Sequence, residues 1–241
     1  MRILLLAGTA EARHLARRLA GQGHRVTASL AGVTEAPLDL GAPTRRGGFG
    51  GPTGLAAWIR KEAVAVLIDA THPFARQMPW NAAAASAETA VPILRVIRPE
   101  WAQRRGWESF PSLRQALAAA PSGARLLATT GSGETSLFNT RPDLDILLRS
   151  IAPVADLKRH VRSVTARPPF SRAEERRLMV AHGTTHLLCR NSGGDPAKLD
   201  AAEDLAIKVL MIARPVQPEV PKVDNVEAAL DWLRTLREAG E

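Results

Sequence analysis

Short apolar runs alternate with amphipathic stretches in residues 1–100. Continuous apolar runs are typical of strands that are buried on both faces, and apolar residues at helical spacing are typical of amphipathic helices. The predicted strands are residues 3–7, 25–30, 44–46, 64–69 and 93–97, and the predicted helices are residues 11–20, 53–62 and 75–89. This alternation predicts the α/β class, with a parallel sheet covered by helices.

The same pattern continues in residues 101–241. The predicted strands there are residues 125–129, 145–148, 161–166, 186–189 and 208–213, and the predicted helices are residues 112–120, 172–182, 197–205 and 225–238. Three segments of the first half reappear in the same order: residues 4–11 at 127–134, 67–73 at 187–193, and 93–99 at 209–215. The repeat predicts two similar Rossmann-like, doubly wound parallel-sheet domains.

We expect the domains to be residues 1–100 and 101–241, with residues 99–111 as the connector. After each Arg-Pro pair, at 98–99 and 214–215, an irregular stretch and another helix are expected, and the sequence leaves open whether the two units exchange strands. Ligands of such folds bind beyond the carboxyl ends of the strands. The sequence therefore predicts a cleft between the two domains.

The first strand ends in a glycine turn, Gly8-Thr9-Ala10, that leads into a helix. Glycine lets the backbone approach an anion, and the N-terminus of a helix stabilises negative charge. The turn lacks the other two glycines of GxGxxG, so alone it is a weak dinucleotide motif. Its echo in the second half, Thr129 to Gly133, is a second candidate for binding phosphate or carboxylate.

Serine stands at the end of the second strand, where NAD enzymes place an acidic residue. An acid there would repel the 2′-phosphate of NADP(H), whereas Ser29 with Arg45 and Arg46 nearby would accommodate it. The alternative is a solvated arginine pair before a flexible turn. The glycine-rich run 47–51 is either a backbone nest for an anion or a loop that needs positive φ.

His72 closes the fourth strand, where side chains reach the ligand edge of the sheet. It is expected either to touch the nicotinamide or donate a proton, or to be a polar loop residue bonded to backbone. In the second half, the run from Arg190 to Asp195 offers backbone N–H groups and hydroxyls to substrate carboxylates, assisted by Lys198 and Arg214. Ordinary helix capping by the same run is compatible with that role.

The net charge of the 241-residue chain is +8, carried by 27 arginines against 5 lysines, which suits discrete anionic groups. No lysine-rich tail or aromatic–basic interleaving indicates nucleic acid.

The single cysteine, Cys189, excludes an internal disulfide, fits a cytoplasmic location and is interpreted as a buried strand residue. No apolar stretch predicts a membrane span, and the scattered histidines predict no metal site. The absence of tyrosine excludes the short-chain dehydrogenases.

Taken together, these motifs resemble the precorrin-6A reductase family of corrin biosynthesis over nearly the whole chain. The resemblance rests on GTAEAR at residues 8–13, SLAG at 29–32, RGGFGG at 46–51, DATHPFA at 69–75, RPEW at 98–101, NSGG at 191–194 and RP at 214–215. It implies an NADPH-dependent reduction of one double bond of a tetrapyrrole that carries several carboxylate arms. It also implies two Rossmann-like domains.

The motifs and the resemblance together assign candidate residues to three roles. The NADPH site is expected at Gly8, Thr9, Ala10, Glu11, Arg13, Ser29, Gly32, Arg45, Arg46, Gly47, Gly48, Thr71 and His72. The substrate site is expected at Thr130, Gly131, Ser132, Arg190, Asn191, Ser192, Gly193, Gly194 and Arg214. The candidate catalytic residues are His72 and Lys198, with water as an alternative proton source.

The chain departs from the family pattern at three places. Val33 and Arg190 stand where arginine and lysine are frequent, and residues 168–170 read PPF where GPF is frequent. Two rival functions stay open: a reductase of the cobalt-containing substrate, and a non-catalytic nucleotide- or nucleic-acid-binding protein. No particular oligomeric state follows from the sequence, and a monomer is compatible with it.

Overall fold

The computed structural model describes residues 1–31 and 39–239. Within them the chain forms two compact units. The first contains Met1–Pro99 together with the chain from Pro215 onward, and the second is Glu100–Arg214. The expected division into 1–100 and 101–241 therefore differs from the structure, which returns the C-terminal segment to the first unit.

Both units are built from parallel strands and helices. In chain order the elements are β1 (Arg2–Ala7), α1 (Ala10–Gly21), β2 (Arg25–Leu30), β3 (Thr44–Arg46), α2 (Gly51–Lys61), β4 (Val66–Ala70), α3 (Met78–Thr89), β5 (Ile93–Val96), β6 (Trp107–Phe110), α4 (Leu113–Ala119), β7 (Arg125–Ala128), β8 (Asp145–Ser150), β9 (Val161–Thr165), α5 (Arg172–His182), β10 (His186–Arg190), α6 (Ala197–Asp204), β11 (Lys208–Ile212), β12 (Lys222–Val223) and α7 (Val226–Glu238). A 3₁₀ helix occupies Thr135–Thr140.

The two sheets have matching strand orders, β12-β5-β4-β1-β2-β3 and β6-β11-β10-β7-β8-β9. Every strand pairing among the described residues is parallel. In each sheet the strand order reverses beside a central strand, β1 in the first unit and β7 in the second, as in doubly wound folds. The prediction of two Rossmann-like α/β units is confirmed.

The units exchange their outermost strand. After β5 the chain enters the second unit, where β6 pairs with β11; after β11 it returns, and β12 pairs with β5. The helices expected after the two Arg-Pro pairs are present as α4 and α7, and the strand exchange that the sequence left open is shown by these pairings. Backbone hydrogen bonds hold the returning segment against β5: Arg95 N donates to Pro221 O at 2.8 Å, and Ile97 N donates to Val223 O at 2.9 Å.

The core explains why β1 is apolar from Ile3 to Ala7. One face of β1, with Ile3, Leu5 and Ala7, packs in a cluster with α1 and α7 residues such as Leu15 and Leu230. The other face packs in a second cluster with residues of α2 and α3. A strand covered on both faces keeps no polar side, so the apolar run replaces the alternation of a half-exposed strand.

Smaller differences from the predicted elements have local causes. β6 lies inside the segment expected to be an irregular connector, and β12 is only two residues long. α3 begins at Met78 rather than at residue 75, with Pro79 in its first turn, a position where the missing N–H costs no helical bond. No helix in the described parts of the chain is long and apolar enough to cross a bilayer.

Candidate active site

The glycine turn after β1 lies against the turn after β4. A Cβ built on Gly8 would stand 3.4 Å from His72 N and 3.6 Å from Thr71 Cα, so glycine permits this close approach. Thr9 caps α1 by accepting from Ala12 N at 3.1 Å, and its hydroxyl donates to Ala70 O at 3.0 Å. Two predicted cofactor motifs are thus brought together at the carboxyl edge of the first sheet.

The N-terminus of α1 carries a compensated carboxylate. Glu11 accepts from Arg98 Nη1 at 3.2 and 3.3 Å, in a half-buried ion pair. Gly8 and Ala10 are exposed, and Arg13 is half-buried one turn along the helix. Because Arg98 compensates the charge of Glu11, the helix terminus keeps its positive character toward an approaching anion.

The two neighbouring arginines of β3 have different environments. Arg45 Nη1 donates to the buried Ser29 hydroxyl at 2.9 Å and to Gly47 O at 3.0 Å, and its Nη2 donates to Gly48 O at 2.9 Å. Its guanidinium also stands 3.7 Å from the centre of the Phe49 ring, and burial lowers its pKa. Arg45 therefore shapes the glycine-rich loop, whereas Arg46 is exposed.

The glycine-rich loop needs its glycines for backbone reasons. Gly47, Gly50 and Gly51 have φ of 96°, 79° and 87°, in the region that favours glycine. A Cβ on Gly54 would lie 1.8 Å from Phe49 O, so α2 packs directly on the loop backbone. Positive φ is thus required here, and the open space around the loop glycines is compatible with a bound anion as well. Gly32 lies outside the described residues.

The loop of residues 71–75, called here the His72 loop, is anchored from beneath. Asp69 Oδ1 accepts from Thr71 N at 3.0 Å and from Thr71 Oγ1 at 2.7 Å. Asp69 also pairs with Arg95, which lies opposite it in the register of β4 and β5. Arg95 is absent from the predicted site residues, although one charged residue of each sign in two buried apolar strands is a signal for such a pair.

The His72 ring has a defined tautomer. Its Nδ1 accepts from the backbone N–H of Phe74 at 3.2 Å. A backbone N–H can only donate, so the neutral ring carries its proton on Nε2. One of the two predictions for His72 was a loop histidine bonded to backbone, and the Nδ1 contact agrees with it. The other ring nitrogen, Nε2, carries the proton and is a hydrogen-bond donor.

In the second unit the turn that echoes Gly8 is only partly equivalent. Gly131 has φ of 78°, but the turn is followed by a 3₁₀ helix rather than by a counterpart of α1. The hydroxyls of Thr129 and Thr130 are buried without a hydrogen-bond partner among the described residues. Arg190 and Glu134 approach to 3.9 Å, which brings the end of β10 close to this turn, where Ser132 also lies.

The Asn191–Gly194 loop is held by the segments that enter and leave the second unit. Trp101 N donates to Asn191 Oδ1 at 3.0 Å, and Trp101 Nε1 donates to Gly194 O at 2.8 Å. Arg214 Nε donates to Asn191 O at 2.8 Å. Lys198 Nζ lies 4.9 Å from the centre of the Trp101 ring.

These contacts bring together four of the predicted substrate or catalytic residues, Asn191, Gly194, Lys198 and Arg214. They also add Glu100, whose Oε2 accepts from Asn191 Nδ2 at 2.9 Å, and Trp101, which sequence analysis left in the connector. Gly193 and Gly194 have φ of 70° and 85°, so the loop depends on both glycines. Ser192 and Gly193 lie inside the same turn.

Other chemistry is not favoured by the geometry. Cys189 lies on β10 in the core of the second unit, and burial raises the pKa of its thiol to about 11. Within the described ranges no group of three or more histidine, cysteine or acidic side chains is placed to hold a metal ion.

Comparison with known proteins agrees with this arrangement. Residues 2–234 match the family model described as "Precorrin-6x reductase CbiJ/CobK". The chain belongs to this family. Precorrin-6A reductases of Rhodococcus erythropolis and Rhodobacter capsulatus are 41% and 39% identical to it, covering 98% and 96% of the chain and 98% and 95% of their own lengths.

A more distant relative is the cobalt-precorrin-6A reductase of Priestia megaterium, 29% identical over 88% of the chain and 90% of its own length. Among solved structures, "CobK precorrin-6A reductase" superposes with a TM-score of 0.92 at 38% identity, covering 98% of the chain and 96% of that structure. This family of reductases, with its Rossmann-like fold, is consistent with a nicotinamide cofactor.

Proposed function

We propose that the protein reduces one double bond of precorrin-6A with NADPH and gives precorrin-6B, in the cytoplasm. The single observation that carries the proposal is membership of the reductase family over nearly the whole chain. The relatives named for the metal-free substrate are more similar to the chain than the relative named for the cobalt substrate. The metal-free tetrapyrrole is therefore the first choice, and the cobalt form is the alternative.

The first unit is the proposed cofactor site. Gly8 and Ala10 are exposed, Thr9 is half-buried between them, and Glu11 is compensated by Arg98, an arrangement that suits a diphosphate at the start of α1. Ser29 leaves room where an acid would repel a 2′-phosphate, and exposed Arg46 is the candidate to bind it, on a loop shaped by Arg45, Gly47 and Gly48. Arg13, Gly32 and Thr71 stay in the predicted set.

NADPH, when bound, supplies the hydride. We assign His72 the role of orienting the nicotinamide end through its Nε2–H. A neutral imidazole with this proton is a good hydrogen-bond donor and a poor acid, because releasing it would leave an anion. Proton transfer to the substrate is therefore assigned to Lys198, whose ammonium group holds dissociable protons.

The second unit is the proposed substrate site. Carboxylate arms of the macrocycle would meet the backbone N–H groups of the Asn191–Gly194 loop and the guanidinium groups of Arg190 and Arg214. Gly131 and exposed Ser132 extend this polar surface, while the Thr130 hydroxyl is buried directly beneath it and stays a candidate. Holding several arms at once fixes the position of the reacting carbon, which is the main contribution expected of these residues.

The direct test is an anaerobic assay with precorrin-6A or cobalt-precorrin-6A, each with NADPH or NADH. We expect turnover of precorrin-6A with NADPH as the preferred reductant. Exclusive turnover of the cobalt substrate would transfer the proposal to the alternative, and no turnover of either with NADPH would refute it. A His72→Gln variant is expected to lower kcat without changing the proton source. Lys198→Met should leave proton delivery to water, which slows that step and increases the solvent isotope effect on kcat.

A further inference from the structure

A buried charge pair lies directly below the His72 loop. Asp69 and Arg95 stand side by side on β4 and β5, with side chains only 1% and 3% exposed. Asp69 Oδ2 is 3.4 Å from Arg95 Nε, while Asp69 Oδ1 holds the backbone and hydroxyl of Thr71. This pair therefore fixes the first residue of the loop.

The same chain of contacts continues to the far end of the loop. Arg95 Nη1 donates to Gln217 Oε1 at 2.6 Å, and Gln217 Nε2 donates to the carbonyl oxygens of Pro73 at 3.3 Å and Ala75 at 3.4 Å. An arginine can only donate, so it directs the amide oxygen of Gln217 toward itself and the amide N–H groups toward the loop. The orientation of Gln217 thus depends on Arg95.

Stability alone does not explain this arrangement. Burying two charges is costly, and apolar residues of similar volume would fill the same space. Arg95 is also incompletely satisfied, because its Nε and Nη2 have no hydrogen-bond partner in the parts of the chain that the structure describes. A buried network kept in this state points to a requirement for defined geometry in the loop above it.

We propose that Arg95 and Gln217 are positioning residues for His72. They hold the carbonyl groups on both sides of Phe74 so that its N–H remains aimed at His72 Nδ1, which keeps the proton of the ring on Nε2. The proposal rests on the proposed function, because it is the cofactor site that uses this Nε2–H. Gln217 acts from the segment that returns to the first unit shortly after Arg214.

The test removes the amide N–H donor of Gln217 and keeps its acceptor oxygen. Gln217→Glu still accepts from Arg95 but turns an oxygen toward two carbonyl groups, and the half-buried position tolerates the change. Gln217→Met removes both functions at similar length. The matched control is Gln22→Glu, at the exposed C-terminal end of α1. Each variant is compared for steady-state reduction of precorrin-6A and for the His72 tautomer, by long-range ¹⁵N–¹H NMR of the full-length protein.

We expect kcat to fall about tenfold in both Gln217 variants, with the KM for NADPH within about twofold of the unmodified protein. The His72 spectrum should change from one Nε2–H tautomer to a mixture, and Gln22→Glu should match the unmodified protein in both measurements. Unchanged kcat with an unchanged tautomer would overturn the proposal, as would a loss of kcat with the tautomer intact. If the tautomer shifts but no variant or parent protein reduces precorrin-6A, the proposed function fails and the positioning role stands.

Discussion

The two adjacent arginines of β3 allow cofactor binding to be separated from loop structure. Arg45 donates three hydrogen bonds, to Ser29, Gly47 and Gly48, and stacks on Phe49. At about 0.5–1.5 kcal/mol net for each bond and about 0.5–1 kcal/mol for the stacking, Arg45→Ala should lower the free energy of unfolding by about 2–5.5 kcal/mol. Arg46 is exposed, so Arg46→Ala should lower it by at most about 1 kcal/mol.

The two variants should also differ in how they affect cofactor binding. Arg46→Ala should be the variant that distinguishes NADPH from NADH. A charge-assisted hydrogen bond to the 2′-phosphate contributes about 1.5–3 kcal/mol, so Arg46→Ala should weaken NADPH binding about 10- to 100-fold and leave NADH unchanged. Arg45→Ala should weaken both cofactors, because it disturbs the loop itself.

The measurements are urea unfolding and fluorescence titration with each cofactor, made on both variants, which remove the same charge from neighbouring positions. An equal loss of NADPH and NADH affinity in Arg46→Ala would refute its assignment to the 2′-phosphate. A stability loss in Arg46→Ala as large as that in Arg45→Ala would refute the structural distinction between the two residues.

Three further predictions concern the second unit. Arg149→Met should lower the free energy of unfolding by about 3–5 kcal/mol, because it leaves the buried Glu175 carboxylate unpaired. Arg60→Met removes an exposed ion pair and should lower it by at most about 1 kcal/mol. Equal urea midpoints for the two variants would contradict this prediction. Burial lowers the pKa of His182, so its contribution to stability is present above about pH 6.5 and is lost as the pH falls; a His182→Gln variant should flatten that acid limb of the unfolding curve. Cys189, with a raised pKa, should react with iodoacetamide at pH 8 only after unfolding, and rapid labelling of the folded protein would show the thiol to be accessible.

Strands buried on both faces were the most predictable part of the fold. β1 and β11 are apolar over nearly their full length, so their positions follow from the sequence alone within a residue or so. β6 was missed because only Trp107 of its residues is buried, which leaves neither an apolar run nor an alternation. The exchange of β6 and β12 depends on pairing between distant segments, and no local pattern reports such pairing.

The candidate site was predictable where its chemistry is local. Gly8 and His72 each follow a strand, and neighbouring parallel strands bring their carboxyl ends together. The support of the site was not predictable, because Arg95 meets Gln217 from a position far along the chain. Trp101 was likewise unrecognised, since its contacts with the Asn191–Gly194 loop exist only after the second unit has folded.

The interrupted first unit has a consequence for synthesis on the ribosome. The second unit is one continuous stretch, so it can fold as soon as Arg214 has left the exit tunnel. The first unit must wait with an open edge at β5, and with the α7 side of its core uncovered, until the last residues of the chain arrive. Truncation near residue 214 would therefore damage the first unit, although most of that unit lies before residue 100. A fragment ending at residue 100 would likewise leave β5 without its partner β12.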